Sequence, residues 1–405
     1  MNEEYLRHEC LQKSEIPKRK ELLYELNYMQ ALVSGRLDTW FCNNFLSESV
    51  QLLINSIFLM EDGFFDCAFY SIRQSAENMN NMLLLASDKS QLSIWKSKGR
   101  FDPDSRVKEK LKIVDSCYKE IREKLTVFFD EFDGLIKDSH KIIHKQGFDS
   151  FYKLRRFQAK EIGFSKEDEI KFFDKLIRYS ICRLYIFFFI LDPVGLILAD
   201  SELDKKFNFA PMTEPIHLGF IAENYSADLI SLIRETNFYK ELTESFSDKE
   251  EMNPYVYNVI REQYFDIEHL NEIDSQKHLL NYSEQFILCV LRMGLKISEF
   301  HTGGISILPY WTSIQSNYDR HQWSSNEFDE YVNGEIKFNI PYHNVYLSFV
   351  IFCDEPLFLQ HNDLLSEIET LSLSQLADKL NKQYEELIEA MKSIQKQKSR
   401  SEERR

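Results

Sequence analysis

The chain has 405 residues, 43% of them hydrophobic, with only 12 Gly and 9 Pro, so it is long enough for two or three domains with a sizeable core. Abundant Phe (32) and Tyr (20) with sparse turn residues favour long helices and argue against an all-β sandwich. The net charge of −16 is uneven: residues 1–200 carry 30 Lys+Arg against 31 Asp+Glu, leaving 19 against 34 for residues 201–405, an acidic half that should repel nucleic acid.

In chain order, residues 18–34 place Leu22, Leu23, Leu26, Met29, Leu32 and Val33 at helical spacing, with Gly35 as a stop, and define an N-terminal helix within 1–44. The preceding MNEEYLRHECLQK has charges where a signal peptide needs an apolar core. A second helix is expected over 45–61 with Ser47 as N-cap, broken by Asp62-Gly63. A third, 64–86, carries a bundle seam of Phe65, Phe69, Ile72, Ala76, Met79 and Leu83. On it Arg73 and Glu77 stand four apart, the spacing of an intrahelical ion pair of roughly 0.2–0.5 kcal/mol. Residues 87–104 are polar, with Gly99 and Pro103, and read as a loop. A helix over 105–124 leads to the next, with Gly134 as a point of interruption or kinking.

The stretch VFFDEFDGLIKDSHKIIHK, about 128–145, is the candidate active site. With Lys137 at zero and about 100° per residue, His140, Lys141 and His144 fall within roughly 60° of it, and Phe128, Phe132, Leu135, Ile136, Ile142 and Ile143 lie opposite. Lys137 to Lys160 holds seven Lys+Arg, including Lys145, Lys153, Arg155 and Arg156, against Asp138 and Asp149. A helix over 166–191 ends at DPVG; its apolar run LYIFFFIL is far short of the ~20 residues that span a bilayer and reads as a buried helix. The seven cysteines are scattered with no C-x-x-C, so neither a disulfide framework nor a zinc ribbon is indicated, and a reducing cytoplasm is expected.

Beyond residue 200, helices are expected over 216–247, 252–264 and about 268–300. ISILPYW and EIKFNI, between Gly303 and Pro341, suggest a small β-hairpin or an ordered loop, in which His321 and Trp323 are weaker ligand candidates. His301-Thr-Gly-Gly304 is a lone turn signal. The C-terminal helix repeats Leu373, Ala377, Leu380, Tyr384, Leu387, Met391 and Ile394 at heptad spacing, with Ser372 and Gln375 as a capping box and a charged, disordered tail.

Residues 45–200 resemble the HEPN superfamily, helical-bundle proteins of prokaryotic toxin and abortive-infection antiviral defence systems. The resemblance rests on GFFDCAFYSIRQSAEN with its Arg-x-x-x-Glu, on KDSHKIIHKQG and on ILDPVGLILAD. It implies an up-and-down bundle, a homodimer with two such helices meeting, and metal-independent endoribonuclease activity from an Arg, a polar residue and a His. The matching positions are Lys137, Asp138 and His144, with lysine in place of the arginine and without its bidentate grip on phosphate. His140 would assist, and Lys141, Lys145, Lys153, Arg155 and Arg156 would bind RNA.

The residues themselves leave three readings of this face open. It is a solvated basic surface, a nucleic-acid or nucleotide site, or a zinc pair at His140-x-x-x-His144. A HExxH reaction is excluded because Lys141 stands where Glu is needed. No P-loop, dinucleotide or nucleophile-elbow motif occurs, and no cofactor or metal is expected. The expected protein is all-α: N-terminal helix 1–44, HEPN-like bundle 45–200, acidic mostly helical domain 201–371 with the hairpin, heptad helix 372–398 and tail 399–405. Its expected role is an effector that binds or cleaves RNA; the alternative is a non-catalytic interaction or scaffold subunit of a defence complex. Partners would be RNA and a second copy or partner protein held through the bundle and the C-terminal helix, with no membrane.

Overall fold

The structure is a computed structural model and describes residues 13–146, 166–302, 308–319, 337–353 and 355–402. It divides into two compact units, Met1–Phe207 with Pro211–Lys249, and Asn208–Ala210 with Glu250–Arg405. The division therefore falls at 249/250, not at 200/201.

The first unit is helical. Helices α1 (Arg19–Ala31), α2 (Cys42–Glu61) and α3 (Phe65–Ser87) open it. Asp62-Gly63 folds α2 back onto α3: Gly63 takes φ +85°, which a side chain would resist, and the Phe64 N–H returns to the Leu59 carbonyl at 2.8 Å. Small residues let the two helices approach, and Ser75 Oγ donates to the Ser49 carbonyl at 2.9 Å. The seam from Phe65 to Leu83 is buried as its spacing predicts.

Two expectations here are corrected. Residues 89–96, read as loop, form α4 (Lys89–Lys96), because the Asp88 carboxylate caps the Ser90 and Gln91 N–H groups at 2.8 and 3.3 Å. The single helix expected over 105–124 is two, α5 (Asp104–Val114) and α6 (Ser116–Lys124). Asp115 leaves the helical conformation between them and its side chain accepts from the Tyr118 N–H at 2.8 Å.

Next come α7 (Thr126–Ile143), which passes through Gly134 without interruption, and α8 (Lys166–Leu191). The LYIFFFIL run of α8 is buried, as are Ile177 and Ile181 before it. No helix among the described residues is long and apolar enough to cross a membrane. Asp192 stops α8; buried, it accepts from Ser34 Oγ at 2.8 Å, Thr213 Oγ1 at 2.9 Å and the Gly35 N–H at 3.1 Å. Short helices α9 (Val194–Ala199), α10 (Ser201–Asp204), α11 (Leu218–Asn224), α12 (Ala227–Arg234) and α13 (Asn237–Ser247) complete the unit, giving Ile221, Leu229, Ile233 and Phe246 to the same core.

The second unit overturns the all-α expectation. It begins with α14 (Pro254–Glu262), β1 (Tyr264–Phe265), α15 (Leu270–Ser275) and α16 (Tyr282–Arg292). The helix expected to run to residue 300 ends at Arg292, where Gly294 takes φ +84°. There follow β2 (Ile297–Thr302), β3 (Leu308–Thr312), β4 (Lys337–Tyr342), β5 (Val345–Phe352), β6 (Glu355–His361) and α17 (Glu367–Glu402). The six strands form one mixed sheet in the order β1-β3-β2-β6-β5-β4, with β1 parallel to β3 and the other pairs antiparallel.

The chain is thus a helix-rich α/β protein. The two strand-like segments noted in the sequence are not hairpin partners: β3 pairs with β1 and β2, and β4 with β5. Strand β5, VYLSFVIF, is buried on both faces, so its apolar run lacks the alternation that marks a half-exposed strand. His301 lies within β2 and is not a turn residue; His321 and Trp323 fall outside the described residues.

Phe286 of α16 and Leu373 and Ala377 of α17 share a core with Phe300, Val350 and Leu359 of one sheet face. The capping box of α17 is Ser366 with Glu369, not Ser372 with Gln375: Ser366 N–H donates to Glu369 Oε2 at 2.7 Å, and Glu369 N–H to Ser366 Oγ at 3.3 Å. The segment expected to be a disordered tail is helical as far as Glu402.

Candidate functional site

Aromatic packing sets α7 in place. Phe128 stacks on Tyr179 of α8 at 5.6 Å, Phe129 lies 6.3 Å from Phe187, and Phe132 and Ile142 are buried. At its end Lys145 adopts φ +51° while the Gln146 N–H returns to the Lys141 carbonyl at 2.9 Å, which closes the helix.

With this orientation Lys137 and His140 face a cleft of about 480 Å³. Its opposite wall is Arg73 and Glu77 of α3, its rim is Asp102, Pro103 and Asp104, and Lys108 of α5 closes one side; Ala76, Phe132 and Ile136 supply apolar lining.

Most charges here are paired. Arg73 Nε meets Glu77 Oε1 at 2.7 Å, and Lys108 Nζ bridges Asp104 at 3.0 Å and Asp133 at 2.8 Å. Arg122 Nη2 also meets Asp133 at 2.5 Å, and Lys110 holds Asp102 at 2.6 Å. Burial alone would raise the Asp133 carboxyl, yet Lys108 and Arg122 hold it below the usual carboxylate range. Asp102 is likewise held low by its bond to Lys110.

Two groups face the cleft uncommitted. Lys137 makes no ion pair among the described residues, and the buried Nε2 of His140 has no hydrogen-bond partner among them. Burial, then the nearby Arg73 and His144, push His140 below the ordinary histidine value, which favours the neutral imidazole.

Beneath the cleft lies a further cation. The Arg183 guanidinium is buried, donating to Asn80 Oδ1 at 2.6 Å and to the Ala76 carbonyl at 3.3 Å, and it sits 3.9 Å from the Phe187 ring and 5.0 Å from Phe132. Burial lowers it to about 10, which leaves it charged. Asn80 in turn donates to Asp104 at 2.6 Å, so a buried positive charge is coupled to the rim through one neutral amide.

The sequence-predicted residues are thus divided. Lys137 and His140 meet in the cleft, and His140 is partly buried in it, not directed away from the protein core. His144 is exposed at the end of α7, its ring edge-on to His140 at 6.0 Å, and is not part of the lining. Asp138 is exposed and paired with Lys141 at 2.6 Å; Lys145 pairs with Asp66 at 2.8 Å. Lys153, Arg155 and Arg156 lie outside the described residues. Among the described residues no group of three His, Cys, Asp or Glu is arranged to hold a metal, so His140 and His144 have no third ligand there.

The sequence reading missed two contributors. Arg73 and Glu77 do form the expected ion pair, but the pair also forms a wall of the cleft. The signal for Arg183 is a lone arginine inside the apolar run YSICRLYIFFFIL. No protein family, curated protein or solved structure matches the chain.

Proposed function

We propose that the cleft between α3 and α7 binds an RNA phosphodiester and cleaves it without a metal, in a cytoplasmic defence or toxin-type effector of the HEPN kind. The observation that carries this reading is a His140 Nε2, pushed toward the neutral form by burial, with no hydrogen-bond partner among the described residues, beside a Lys137 that makes no ion pair among them. His140 takes the proton of the ribose 2′-hydroxyl, the 2′-oxygen attacks phosphorus, and the 5′-oxygen leaves with a proton delivered at the exposed end of α7, where His144 stands. Lys137, Arg73 and the buried Arg183 supply the positive field for the charged phosphorane. A second copy of the chain would bring the same helix against this one.

Purified protein incubated with tRNA and total RNA in chelator should yield 2′,3′-cyclic phosphate ends. His140→Ala should lower the rate by about 10²–10⁴-fold. The rate should fall as pH drops below the ordinary histidine range, since the base must be neutral. Intact RNA under these conditions would sink the proposal.

The scaffold reading has one observation of its own, the exposed Ile368 (78%) and Leu371 (59%) on the outer side of α17. It predicts that Ile368→Glu with Leu371→Glu lowers the oligomer mass measured by light scattering. An unchanged mass would count against it.

A further inference from the structure

Outside the cleft, the segment Trp95-Lys-Ser-Lys-Gly-Arg-Phe101 interleaves three cations with two aromatic residues and contains no acid. It leaves α4 through a locked turn: the Ser97 N–H returns to Ser93 O at 3.1 Å, Lys98 N–H to Trp95 O at 2.9 Å, and Gly99 N–H to Ile94 O at 3.0 Å. A Cβ on Gly99 would lie 2.6 Å from Ile94 Cγ2 and 2.8 Å from its carbonyl, so only glycine fits. Lys98 holds φ +65°, the left-handed conformation common just after a helix end.

The turn therefore presents Lys96, Lys98 and Arg100 in a fixed arrangement. All three are exposed, and none makes an ion pair among the described residues, whereas Arg106, Lys108 and Lys110 nearby are paired with Asp102 or Asp104. In a chain of net charge −16 this is an uncompensated +3 within five residues, 96–100.

The aromatic residues flank it. Phe101 is 41% exposed and its ring lies 6.4 Å from Trp95 at 21°, nearly parallel. Phe45 backs both, 5.4 Å from Trp95 and 6.3 Å from Phe101, and Phe41 lies 6.2 Å from Trp95. Phe101 is followed directly by Asp102, Pro103 and Asp104, the rim of the cleft, so the platform adjoins it.

We infer that residues 95–101 form a docking surface for single-stranded RNA, in which Phe101 and Trp95 stack an unpaired base and Lys96, Lys98 and Arg100 neutralise the phosphates leading from the cleft. Stacking on an exposed ring needs an unpaired base, and three fixed cations match a backbone bearing one charge per nucleotide. The choice of RNA as occupant rests on the reading of the cleft proposed above; the arrangement of cations and rings does not.

The test uses the full chain and a fluorescent 2′-O-methyl oligouridine of about 12 nucleotides, which cannot be cleaved through its 2′-position and falls within the length one such surface spans. By anisotropy, Phe101→Ala should weaken binding about 5- to 150-fold. Lys98→Gln and Arg100→Gln should each flatten the slope of log affinity against log salt by about 0.7. A duplex of the same length should bind with no dependence on Phe101. Because Phe101 also touches Trp95, Phe101→Leu and the two exposed glutamine variants keep the result independent of any folding defect.

A triple Lys96→Gln, Lys98→Gln, Arg100→Gln variant that binds as the wild type, or a loop-dependent affinity for anionic lipid vesicles with none for the oligonucleotide, would overturn the inference. Cleavage of a dinucleotide separates the two proposals: His140→Ala should lower it by about 10²–10⁴-fold and the loop variants should leave it unchanged, raising KM for long RNA alone. Dinucleotide cleavage with normal probe binding by the loop variants removes the docking surface and leaves the catalytic reading; loop-dependent binding with no cleavage does the reverse.

Discussion

Glu169, in the first turn of α8, is 2% exposed, its Oε1 has no hydrogen-bond partner among the described residues, and burial raises its pKa to about 8 despite the nearby Lys145. Between about pH 4.5 and 8 the folded chain keeps a proton that the unfolded chain has lost, so this group's contribution to stability is whole below that window and is lost as pH rises through it. Glu169→Gln should raise the unfolding free energy by more than about 1 kcal/mol at pH 8 and by little at pH 4.5, as read from urea unfolding at the two pH values. Equal stability of variant and wild type at both would show that the carboxylate is ionised and compensated. The same physics acts on His140 with opposite sign, since burial there favours the neutral base.

At the scale of the element, α7 carries the cleft residues on a helix that pays for one glycine. Gly134 is exposed and helical, and a Cβ placed on it meets nothing within 4 Å. Gly134→Ala should therefore stabilise the first unit by about 0.4–1 kcal/mol, seen as a higher urea midpoint at unchanged m-value. A loss of stability would mean that the helix needs the glycine's freedom. The amphipathic pattern of α7 was legible because Phe128, Phe132 and Ile142 do face the core. The pattern could not say which of two histidines on one face meets a neighbouring helix: α3 covers the His140 turn, and the His144 turn remains exposed.

For the whole molecule, the boundary at 249/250 follows from where apolar side chains of α11 to α13 are buried. A fragment ending at Lys249 should unfold in one cooperative transition by circular dichroism, while one ending at Asp200 should not, because it lacks Ile221, Leu229, Ile233 and Phe246. Cooperative melting of the shorter fragment would place the boundary where the charge asymmetry suggested it. The sheet of the second unit escaped the sequence reading for a related reason. Two of its pairings, β1 with β3 and β2 with β6, span long separations; β4 and β5 join through His343 and Asn344 without the glycine that usually marks such a turn, and β5 is apolar on both faces, so alternation did not announce it.

By itself the sequence determined the helices whose apolar spacing is local, α1, α2, α3, α7, α8 and the core-facing Leu373, Ala377 and Leu380 of α17, but not their caps: α2 begins at Cys42, so Ser47 lies inside it and not at its N-cap. It also marked Lys137 and His140 as sharing a face, because three residues on a helix nearly complete a turn. Only the tertiary structure decided that Arg73 and Glu77 stand across from them, that Arg183 lies beneath, and that carboxylates close by are neutralised by Lys108, Lys110 and Arg122. These depend on how helices far apart in the chain pack. Such packing is set by the summed burial of many side chains, and no short spacing records it.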